Sequence, residues 1–430
     1  MRYTTTSRKT EPVTFQEALF QGLAPDGGLF LPEEIPEVWN KISQIDLTYP
    51  ELAFEVLKPF VHNEIPDSVF RDMTEKAFSF DVRIVEIQTD NYILELFHGP
   101  TLAFKDFGAR FMARTMEYFL QKKSQEITVL VATSGDTGSA VANGFFGIEG
   151  IRVLILYPKG RVSPIQEKQL TTHGGNITAL EIDGSFDDCQ RMVKSAFMDK
   201  NLRERILLSS AKSINIARLL PQSVYYYWAI KEIGRYSSIV FSVPSGNFGN
   251  ITGGLLAKKM GLPVDTFVAS TNINDVVPEY LKTGIYHTKP SVQTLSNAMD
   301  VGDPSNFARI LALYDNNIDK IRSEFTGFTF NDAETVETIK RVFAESNYIM
   351  DPHTAVGYSG LQEYQKSLHY PCTGIVLATA HPAKFPECIE PAIDQKIPIP
   401  QQLNNCMDKD MVKTSLSSHE KDLKEFLLNA

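Results

Sequence analysis

The sequence predicts an α/β protein built on open, mostly parallel sheets, and three observations support this prediction. Short runs of β-branched and aliphatic residues alternate with stretches of helical spacing; the clearest runs are 127–132, 151–157, 239–243 and 375–378. This alternation is typical of β-α-β units with parallel strands. Polar or glycine-rich loops directly follow four strand candidates, and ligands of such sheets bind beyond the carboxyl ends of the strands. We therefore expect these loops to meet at one cleft.

Composition narrows the class of protein. The chain of 430 residues is long enough for two or three domains and needs no disulfide or metal to stabilise its core. Its formal net charge of −10 and the lack of a dense basic run argue against a nucleic-acid partner. No apolar run approaches the ~20 residues of a membrane-spanning helix, and the N-terminus has no secretory pattern, so we expect no membrane partner. Four scattered cysteines without a CxxC pair favour a reducing, cytoplasmic location.

The pattern along the chain divides it into three ranges. Residues 1–90 are predicted to form an N-terminal extension that packs on the α/β core. Residues 91–232 are predicted to form a small α/β domain with a candidate lysine and an anion-binding loop. Residues 233–430 are predicted to form a large α/β domain with a phosphate-binding loop.

Some segments lie outside the alternating pattern. Helical spacing near 52–60 and 69–78 predicts two helices in the N-terminal extension. The segment 271–331 is rich in loops and is interpreted as an excursion from the large domain. The charged tail 408–430 is predicted to be a surface helix.

The loop 245–250 (Ser-Gly-Asn-Phe-Gly-Asn) follows a strand and opens a helix candidate. Glycines let backbone N–H groups turn inward, and a helix N-terminus adds partial positive charge, so such a loop can hold a phosphate. A tight strand-to-helix turn without a ligand has the same spacing. The chain contains neither a Walker A loop nor a GxGxxG pattern, which argues against nucleoside triphosphate and dinucleotide cofactors.

A second loop, 133–138 (Thr-Ser-Gly-Asp-Thr-Gly), has the same position after a strand and more hydroxyl groups. It could bind another anion, either a phosphate or a carboxylate. Ser, Thr and Asp are also favoured at helix N-termini for purely structural reasons, so a simple helix cap is the alternative.

Lys105 follows a strand candidate and lies between aromatic residues at the start of a predicted helix. A partly desolvated lysine has a lowered pKa, which suits a nucleophile that forms a Schiff base; a solvated surface lysine is the alternative. Thr379 and His381 follow the last strong strand, where they could face a cofactor ring, although a neutral, hydrogen-bonded histidine would serve structure alone. His353 has no partners at metal-ligand spacing, so no metal site is expected.

These features together resemble the fold-type II pyridoxal-phosphate enzymes, and among them the threonine synthase family of the longer microbial type. Members have a lysine early, a glycine-rich loop near the middle and a hydroxyl residue late on an α/β frame. The similarity runs along nearly the whole chain in the family's order, through residues 3–8, 22–29, 96–106, 134–139, 213–215, 245–250, 295–299, 351–355 and 379–385. The resemblance implies two open, twisted, mostly parallel sheet domains, similar to the tryptophan synthase β fold, with an N-terminal extension.

The resemblance also implies a role for each matching position. Lys105 would bind pyridoxal 5′-phosphate (PLP) through its amine, and Thr379 would bond the pyridine nitrogen. Asp136 stands where shorter relatives carry an asparagine beside the ring's 3′-oxygen. The residues that would hold the cofactor's phosphate are Gly246, Asn247, Phe248, Gly249 and Asn250. The residues that would hold the substrate's carboxylate and phosphate are Thr133, Ser134, Thr137, Ser213 and Arg218, with Lys212 where an asparagine is expected.

The implied reaction converts O-phospho-L-homoserine and water to L-threonine and phosphate, by elimination of phosphate from the γ-carbon and addition of water at the β-carbon. The chain would thus be a carbon–oxygen lyase of amino-acid biosynthesis, in which the cofactor withdraws electrons and Lys105 acts as the base. One alternative is another lyase of this fold, either a serine/threonine dehydratase or an O-phosphohomoserine phospholyase. The other is a non-catalytic protein that binds a phosphometabolite. The expected assembly is a monomer or a homodimer.

Overall fold

The structure, a computed structural model, describes residues 1–121, 126–133, 135–234 and 238–429. The strands are β1 (Tyr3–Thr5), β2 (Phe30–Pro32), β3 (Arg83–Gln88), β4 (Asn91–Glu95), β5 (Ile127–Ala132), β6 (Ile151–Pro158), β7 (Ile177–Asp183), β8 (Leu207–Ser210), β9 (Ile239–Pro244), β10 (Thr266–Thr271), β11 (Phe325–Thr329), β12 (Thr373–Ala378) and β13 (Lys413–Ser417).

The helices of the described residues are α1 (Phe15–Gln21), α2 (Trp39–Ile42), α3 (Tyr49–Val61), α4 (Asp67–Ala77), α5 (Lys105–Gln121), α6 (Asp136–Phe145), α7 (Pro164–Thr171), α8 (Phe186–Met198), α9 (Lys200–Arg205), α10 (Ile216–Leu219), α11 (Val224–Ile233), α12 (Gly249–Lys259), α13 (Val276–Thr283), α14 (Phe307–Leu313), α15 (Ile318–Glu324), α16 (Asp332–Ser346), α17 (Pro352–Lys366), α18 (Pro386–Ile393), α19 (Gln401–Met407) and α20 (Glu420–Asn429). Short 3₁₀ helices cover Leu220–Ser223, Asn297–Met299 and Pro382–Lys384.

Two largely parallel sheets organise the described part of the chain. One has six strands in the order β11-β10-β9-β12-β4-β3, and the other has five in the order β13-β7-β6-β5-β8. All neighbours run parallel except β3, which runs antiparallel to β4. Strands β5, β9 and β12 are buried at every position, as expected of parallel strands with both faces covered. The predicted α/β class is confirmed.

The N-terminal extension packs against the two-sheet body through aromatic side chains. The ring of Tyr49 on α3 lies 5.7 Å from that of Phe107 on α5 and 5.5 Å from that of Trp228 on α11. The Tyr3 hydroxyl donates a hydrogen bond of 2.7 Å to the carbonyl oxygen of Phe60, which fixes the short β1-β2 pair on α3. The predicted helices near 52–60 and 69–78 are present as α3 and α4.

The two sheets do not follow the predicted domain ranges at their edges. Strand β4 falls in the range 91–232 but pairs with β12 in the six-stranded sheet. Strand β13 falls in the range 233–430 but pairs with β7 in the five-stranded sheet. Sequence patterns group residues that are close along the chain. Here the chain passes from the six-stranded sheet to the five-stranded sheet after β4, returns to the six-stranded sheet at β9, and joins the five-stranded sheet again near residue 413. The domain boundaries themselves stay a prediction.

The C-terminal tail differs from the prediction of a surface helix over 408–430. Residues Lys413–Ser417 form β13, and only Glu420–Asn429 is helical. The strand has no apolar alternation because it lies at a sheet edge and its first three residues are exposed, so backbone pairing with β7 holds it in place. Helix α20 is anchored by Leu423 and Leu427, which are buried. Among the described residues, none of the helices combines the length and apolar character needed to cross a bilayer.

Candidate active site

The loops that follow β4 and β12 meet at the carboxyl ends of these neighbouring strands. Phe104, next to Lys105, donates its backbone N–H to the carbonyl oxygen of Thr379 over 2.9 Å. The loop after β5 reaches the same place, because the carboxylate of Asp136 lies 2.5 Å from the amine of Lys384. The sequence predicted that these loops would converge, and the structure brings them together.

Lys105 is the first residue of α5 and is partly buried. Its amine lies 5.9 Å from the centroid of the Phe104 ring. Burial lowers the pKa of the Lys105 ammonium; the charge of Asp136 opposes this, and those of Lys384 and Arg218 add to it. A lysine in this setting releases its proton more readily than a solvated lysine, and the neutral amine is the nucleophilic form.

A buried carboxylate fixes the turn that leads to Lys105. Asp106 accepts hydrogen bonds from the backbone N–H of Thr101 at 2.9 Å and from its hydroxyl at 2.7 Å. Gly99 packs so closely that a Cβ there would lie 2.4 Å from the Asp106 carboxylate. Burial raises the pKa of Asp106 to about 6, although the bonds from Thr101 favour its ionised form.

Asp136 begins α6 and is held from two sides. Besides the contact with Lys384, its carboxylate accepts a hydrogen bond of 2.9 Å from the side-chain amide of Gln166 on α7. Burial opposes ionisation of this group, but the positive charges of Lys384 and Lys105 hold the pKa of Asp136 below its usual range. The group is therefore a carboxylate at neutral pH.

The loop 245–250 joins β9 to the start of α12, as predicted. Phe248 takes a left-handed conformation (φ 58°), which turns the chain into the helix that Gly249 begins. Gly246 has no room for a side chain, since a Cβ there would lie 2.7 Å from the Cα of Met299. The loop therefore presents bare backbone at the N-terminus of an 11-residue helix, an arrangement that favours anions.

Asn250 gives a direct test of whether this loop suits a phosphate. Its side-chain oxygen accepts hydrogen bonds from the hydroxyls of Tyr225 at 2.6 Å and Tyr226 at 2.8 Å, so the opposite end must be the NH₂ group. That nitrogen is buried and has no hydrogen-bond partner among the described residues. A buried donor without a partner costs about 1–3 kcal/mol, so this nitrogen is a candidate contact for an anion bound at the loop. The loop thus fits the phosphate of PLP.

The loop 133–138 uses its first hydroxyl internally. The Thr133 oxygen accepts hydrogen bonds from the backbone N–H groups of Gly135 at 3.0 Å and Gly138 at 2.9 Å, and its hydroxyl donates to the Gly135 carbonyl at 3.1 Å. The Thr133 hydroxyl therefore supports the backbone at the start of α6, which is the structural role considered as the alternative to anion binding. Thr137 is partly exposed near the start of α6, and Ser134 lies outside the described residues.

The segment after β8 comes close to the phosphate loop. The side-chain amide of Asn247 donates a hydrogen bond of 2.6 Å to the hydroxyl of Ser213. Arg218 donates one of 2.6 Å to the carbonyl oxygen of Ala211, while its buried Nε has no partner among the described residues. Burial lowers the pKa of Arg218 to about 10 and that of the Lys212 amine below its ordinary value. Because a pKa of about 10 is still well above neutral pH, Arg218 provides a positive charge in this part of the site.

Arg309 supports this segment and was not singled out from the sequence. It is fully buried on α14 and donates to the carbonyl oxygens of Phe30 at 3.1 Å and Ile214 at 2.5 Å, and to the side chain of Asn306 at 2.6 Å. It thereby ties the N-terminal extension to the Ser213 segment. No local pattern distinguishes such an arginine, because its partners are distant in sequence and are mostly backbone oxygens.

The histidines considered for the site serve structure. His381 accepts a hydrogen bond of 3.1 Å from the backbone N–H of Ala383, and burial lowers its pKa to about 4. His353 lies with Nδ1 2.6 Å from the carboxylate of Asp351 and accepts a bond of 3.2 Å from the backbone N–H of Ala298. Thr379 is buried and follows β12 directly, with its backbone oxygen bonded to Phe104.

Comparison with known proteins covers the whole of this arrangement. The pyridoxal-phosphate dependent enzyme family matches residues 86–378, and the threonine synthase N terminus and C-terminal families match residues 2–78 and 354–427. Threonine synthase of Haemophilus influenzae is 44% identical over 422 residues, 98% of each chain, and that of Escherichia coli is 41% identical over 425 residues, 97% of each chain.

Solved structures agree with this. The PLP-bound threonine synthase from Brucella melitensis aligns with a TM-score of 0.94 at 37% identity, over 99% of this chain and 98% of that chain. Threonine synthase from Escherichia coli aligns with a TM-score of 0.92 at 40% identity, over 100% of both chains. The chain therefore belongs to the threonine synthase family of pyridoxal-phosphate dependent enzymes.

Proposed function

We propose that this chain converts O-phospho-L-homoserine and water to L-threonine and phosphate, with PLP bound through Lys105. The observation that carries the proposal is the placement of Lys105. It is a partly buried amine at the meeting point of the loops after β4, β5 and β12, and burial lowers its pKa. The relatives named threonine synthase support the choice of reaction.

The chain's residues suggest how the cofactor would be held. The amine of Lys105 would bind the aldehyde carbon, and residues 246–250, with the unpaired Asn250 amide and the N-terminus of α12, would hold the phosphate. The hydroxyl of Thr379 and the carboxylate of Asp136 would face the ring. When bound, PLP withdraws electrons from the carbon atoms next to the amino group of the substrate.

The protein's part in the reaction is to bind anions and to move protons. Ser213 and Arg218, with Ser134 and Thr137, would hold the carboxylate and phosphate of the substrate; the buried, unpaired Nε of Arg218 supports this. Thr133, also predicted to hold the substrate, would act through the shape of the loop 133–138, because its hydroxyl is bonded within that loop. Lys105 Nζ, once free, would take the proton from the α-carbon and then one from the β-carbon. The phosphate would leave from the γ-carbon and water would add its oxygen at the β-carbon. The protons taken up would return to the γ-carbon and the α-carbon, which completes threonine.

Lys105→Ala tests the proposal directly. Full-length protein incubated with PLP is expected to develop an absorbance band at roughly 410 nm. When O-phospho-L-homoserine is then added, the protein should release one threonine for each phosphate. The variant should lose both the band and the turnover. Lys396→Ala is the matched control, because Lys396 is 91% exposed, and it should behave as the parent chain.

Each other outcome points to a different protein. Production of 2-oxobutyrate in place of threonine would indicate a phospholyase, and activity on unphosphorylated serine or threonine would indicate a dehydratase. A chain that gains no band with PLP and is unaffected by Lys105→Ala would be a phosphometabolite-binding protein. Any of these results would overturn the proposed reaction.

The setting of the enzyme belongs to the same proposal. We infer a small-molecule substrate and a cytoplasmic location, supported by four cysteines that are all free in the structure, as is usual in reducing compartments. A monomer or homodimer and the lack of a nucleic-acid partner stay predictions from the sequence; gel filtration would test the first, and a binding titration with duplex DNA or RNA the second.

A further inference from the structure

Lys384 is a buried amine at the active site to which the proposed reaction gives no role. It lies in the 3₁₀ helix after β12, and its side chain is 0% exposed. Its Nζ contacts the carboxylate of Asp136 at 2.5 Å and donates to the carbonyl oxygen of Thr101 at 3.1 Å. One amine thus joins the loops after β12, β5 and β4.

A buried ion pair of this kind needs a reason beyond stability. Removing two charges from water costs several kcal/mol per ion, and replacing such a pair with apolar side chains is often neutral or stabilising. Here the carboxylate belongs to the loop after β5 in the five-stranded sheet, and the amine to the loop after β12 in the six-stranded sheet. The pair is almost completely buried, and it joins two of the loops that meet at Lys105.

The charged side chains whose fields act on the Lys105 ammonium come from three elements. Asp136 begins α6, Lys384 ends the 3₁₀ helix after β12, and Arg218 lies on α10. Asp106 follows Lys105 directly, but both of its oxygens are bonded to Thr101. Asp136 is thus the carboxylate available to pair with the Lys105 ammonium, and Lys384 competes for it.

We propose that Lys384 is a positioning residue that binds the Asp136 carboxylate away from Lys105 and so keeps the Lys105 amine in its neutral, reactive form. The inference rests on the proposed function, because it takes Lys105 as the residue that binds PLP. With Lys384 in place, the Asp136 carboxylate is bonded to the Lys384 amine and to the side-chain amide of Gln166. Without Lys384, a nearby positive charge disappears and the carboxylate is free to bind the Lys105 ammonium; both changes favour the protonated form.

The test measures how fast the full-length, PLP-free chain captures PLP across pH, from the rise of absorbance at roughly 410 nm. Only the neutral amine attacks an aldehyde, so the midpoint of the rate against pH reports the protonation of Lys105. Lys384→Met should raise this midpoint by roughly one pH unit, and Asp136→Asn should lower it by a similar amount. The double variant should lie close to the parent chain. Lys396→Met, which removes an exposed Lys–Glu contact of the same 2.5 Å length, should leave the midpoint unchanged.

A purely structural role for Lys384 gives a different result. Rates would then fall equally at every pH and the midpoints would coincide, which would overturn the inference. If Lys384→Met does not fold, the comparison is made between Asp136→Asn and the double variant, which buries no unpaired charge. Equal midpoints for these two proteins would contradict the inference, and a difference between their midpoints would support it. If the parent chain gains no band with PLP, the proposed function fails and not this inference alone.

Discussion

Single residues at the site are buried to an extent that a sequence pattern does not reveal. Asp106, Arg218, Arg309 and Lys384 are all less than 4% exposed. Charged residues are rarely buried unless paired or hydrogen-bonded, and each of these has such partners. The chemistry of the site is therefore set by which partners each buried group finds.

The buried carboxyl of Asp106 gives a prediction for stability against pH. Its pKa is raised to about 6 from a model-peptide value of 3.8, so between these values the folded chain holds a proton that the unfolded chain has released. The free energy of unfolding should therefore fall as pH rises from about 4 to 6, by up to about 3 kcal/mol from this group. Asp106→Asn, whose amide can still bond to Thr101, should remove this part of the decline.

Urea unfolding at a series of pH values would measure the effect. Asp319→Asn is the control, because Asp319 is 87% exposed and the substitution should leave the pH dependence of the parent chain unchanged. Parallel curves for the parent chain and Asp106→Asn would contradict the prediction.

The sequence predicts those parts of the site whose signal is local. Lys105 and the loop 246–250 were found because each follows a strand and opens a helix, a pattern contained in a few residues. Thr133 shows the limit: a hydroxyl at such a position suits a ligand or a structural role equally well, and in the structure its oxygen accepts the backbone N–H groups of Gly135 and Gly138. Gln166 and Arg309 could not be found, since the contacts that tie them to the site reach Asp136, 30 residues away, and Phe30, 279 residues away.

At the scale of elements, the start of α17 supports the phosphate loop from behind. Asp351 caps this helix and bonds to Nδ1 of His353, while Nε2 of His353 accepts the backbone N–H of Ala298. The turn that contains Ala298 packs on Gly246, where a Cβ would lie 2.9 Å from the Ala298 carbonyl oxygen. His353 therefore positions the phosphate loop indirectly.

His353→Leu should weaken both the fold and the cofactor site. The substitution leaves the Ala298 N–H without its partner and removes the ring contact of the Asp351 carboxylate, which keeps its bonds from the backbone N–H groups of residues 353 and 354. We expect a cost of about 2 kcal/mol in unfolding free energy. We also expect PLP affinity to fall roughly tenfold, because the turn behind Gly246 is no longer fixed. Fluorescence titration with PLP and urea unfolding measure the two effects. His369→Leu at an exposed position should change neither, and unaltered PLP affinity in His353→Leu would contradict the positioning role.

Some strands were not predicted because their own residues do not have the apolar pattern that is typical of a strand. Strand β13 is polar and mostly exposed, and pairing along one edge of β7 makes it a strand. Strand β8 begins with an exposed residue and is only four residues long. The buried strands β5, β9 and β12 were recognised because burial on both faces requires a continuous apolar run.

At the scale of the whole molecule, each sheet is assembled from two segments that are far apart along the chain. Strand β4 joins the six-stranded sheet, the rest of whose parallel strands come from residues 239–378, and β13 joins the five-stranded sheet, whose other strands come from residues 127–210. Helix α20 packs behind β13, with Leu423 and Leu427 in the core of the five-stranded sheet. The C-terminal segment is therefore part of the domain that carries Asp136.

Leu423→Ala tests this contribution. Leu423 is 1% exposed, and its truncation should lower the free energy of unfolding by about 3 kcal/mol through lost burial and a cavity. Val412→Ala, at a residue that is 61% exposed, should change it by less than about 0.5 kcal/mol. If urea unfolding shows equal effects for the two substitutions, the burial of Leu423 on α20 does not contribute to the stability of the fold.

The late strand β13 also has a consequence for synthesis on the ribosome. While the chain is being translated, the outer edge of β7 has exposed N–H and C=O groups that find their partner only after residue 417 has left the exit tunnel. Strand β4 must likewise wait for β12, more than 270 residues later. A nascent chain of this protein therefore has two open strand edges for most of its elongation, and such edges are sites where chaperones bind and where aggregation begins.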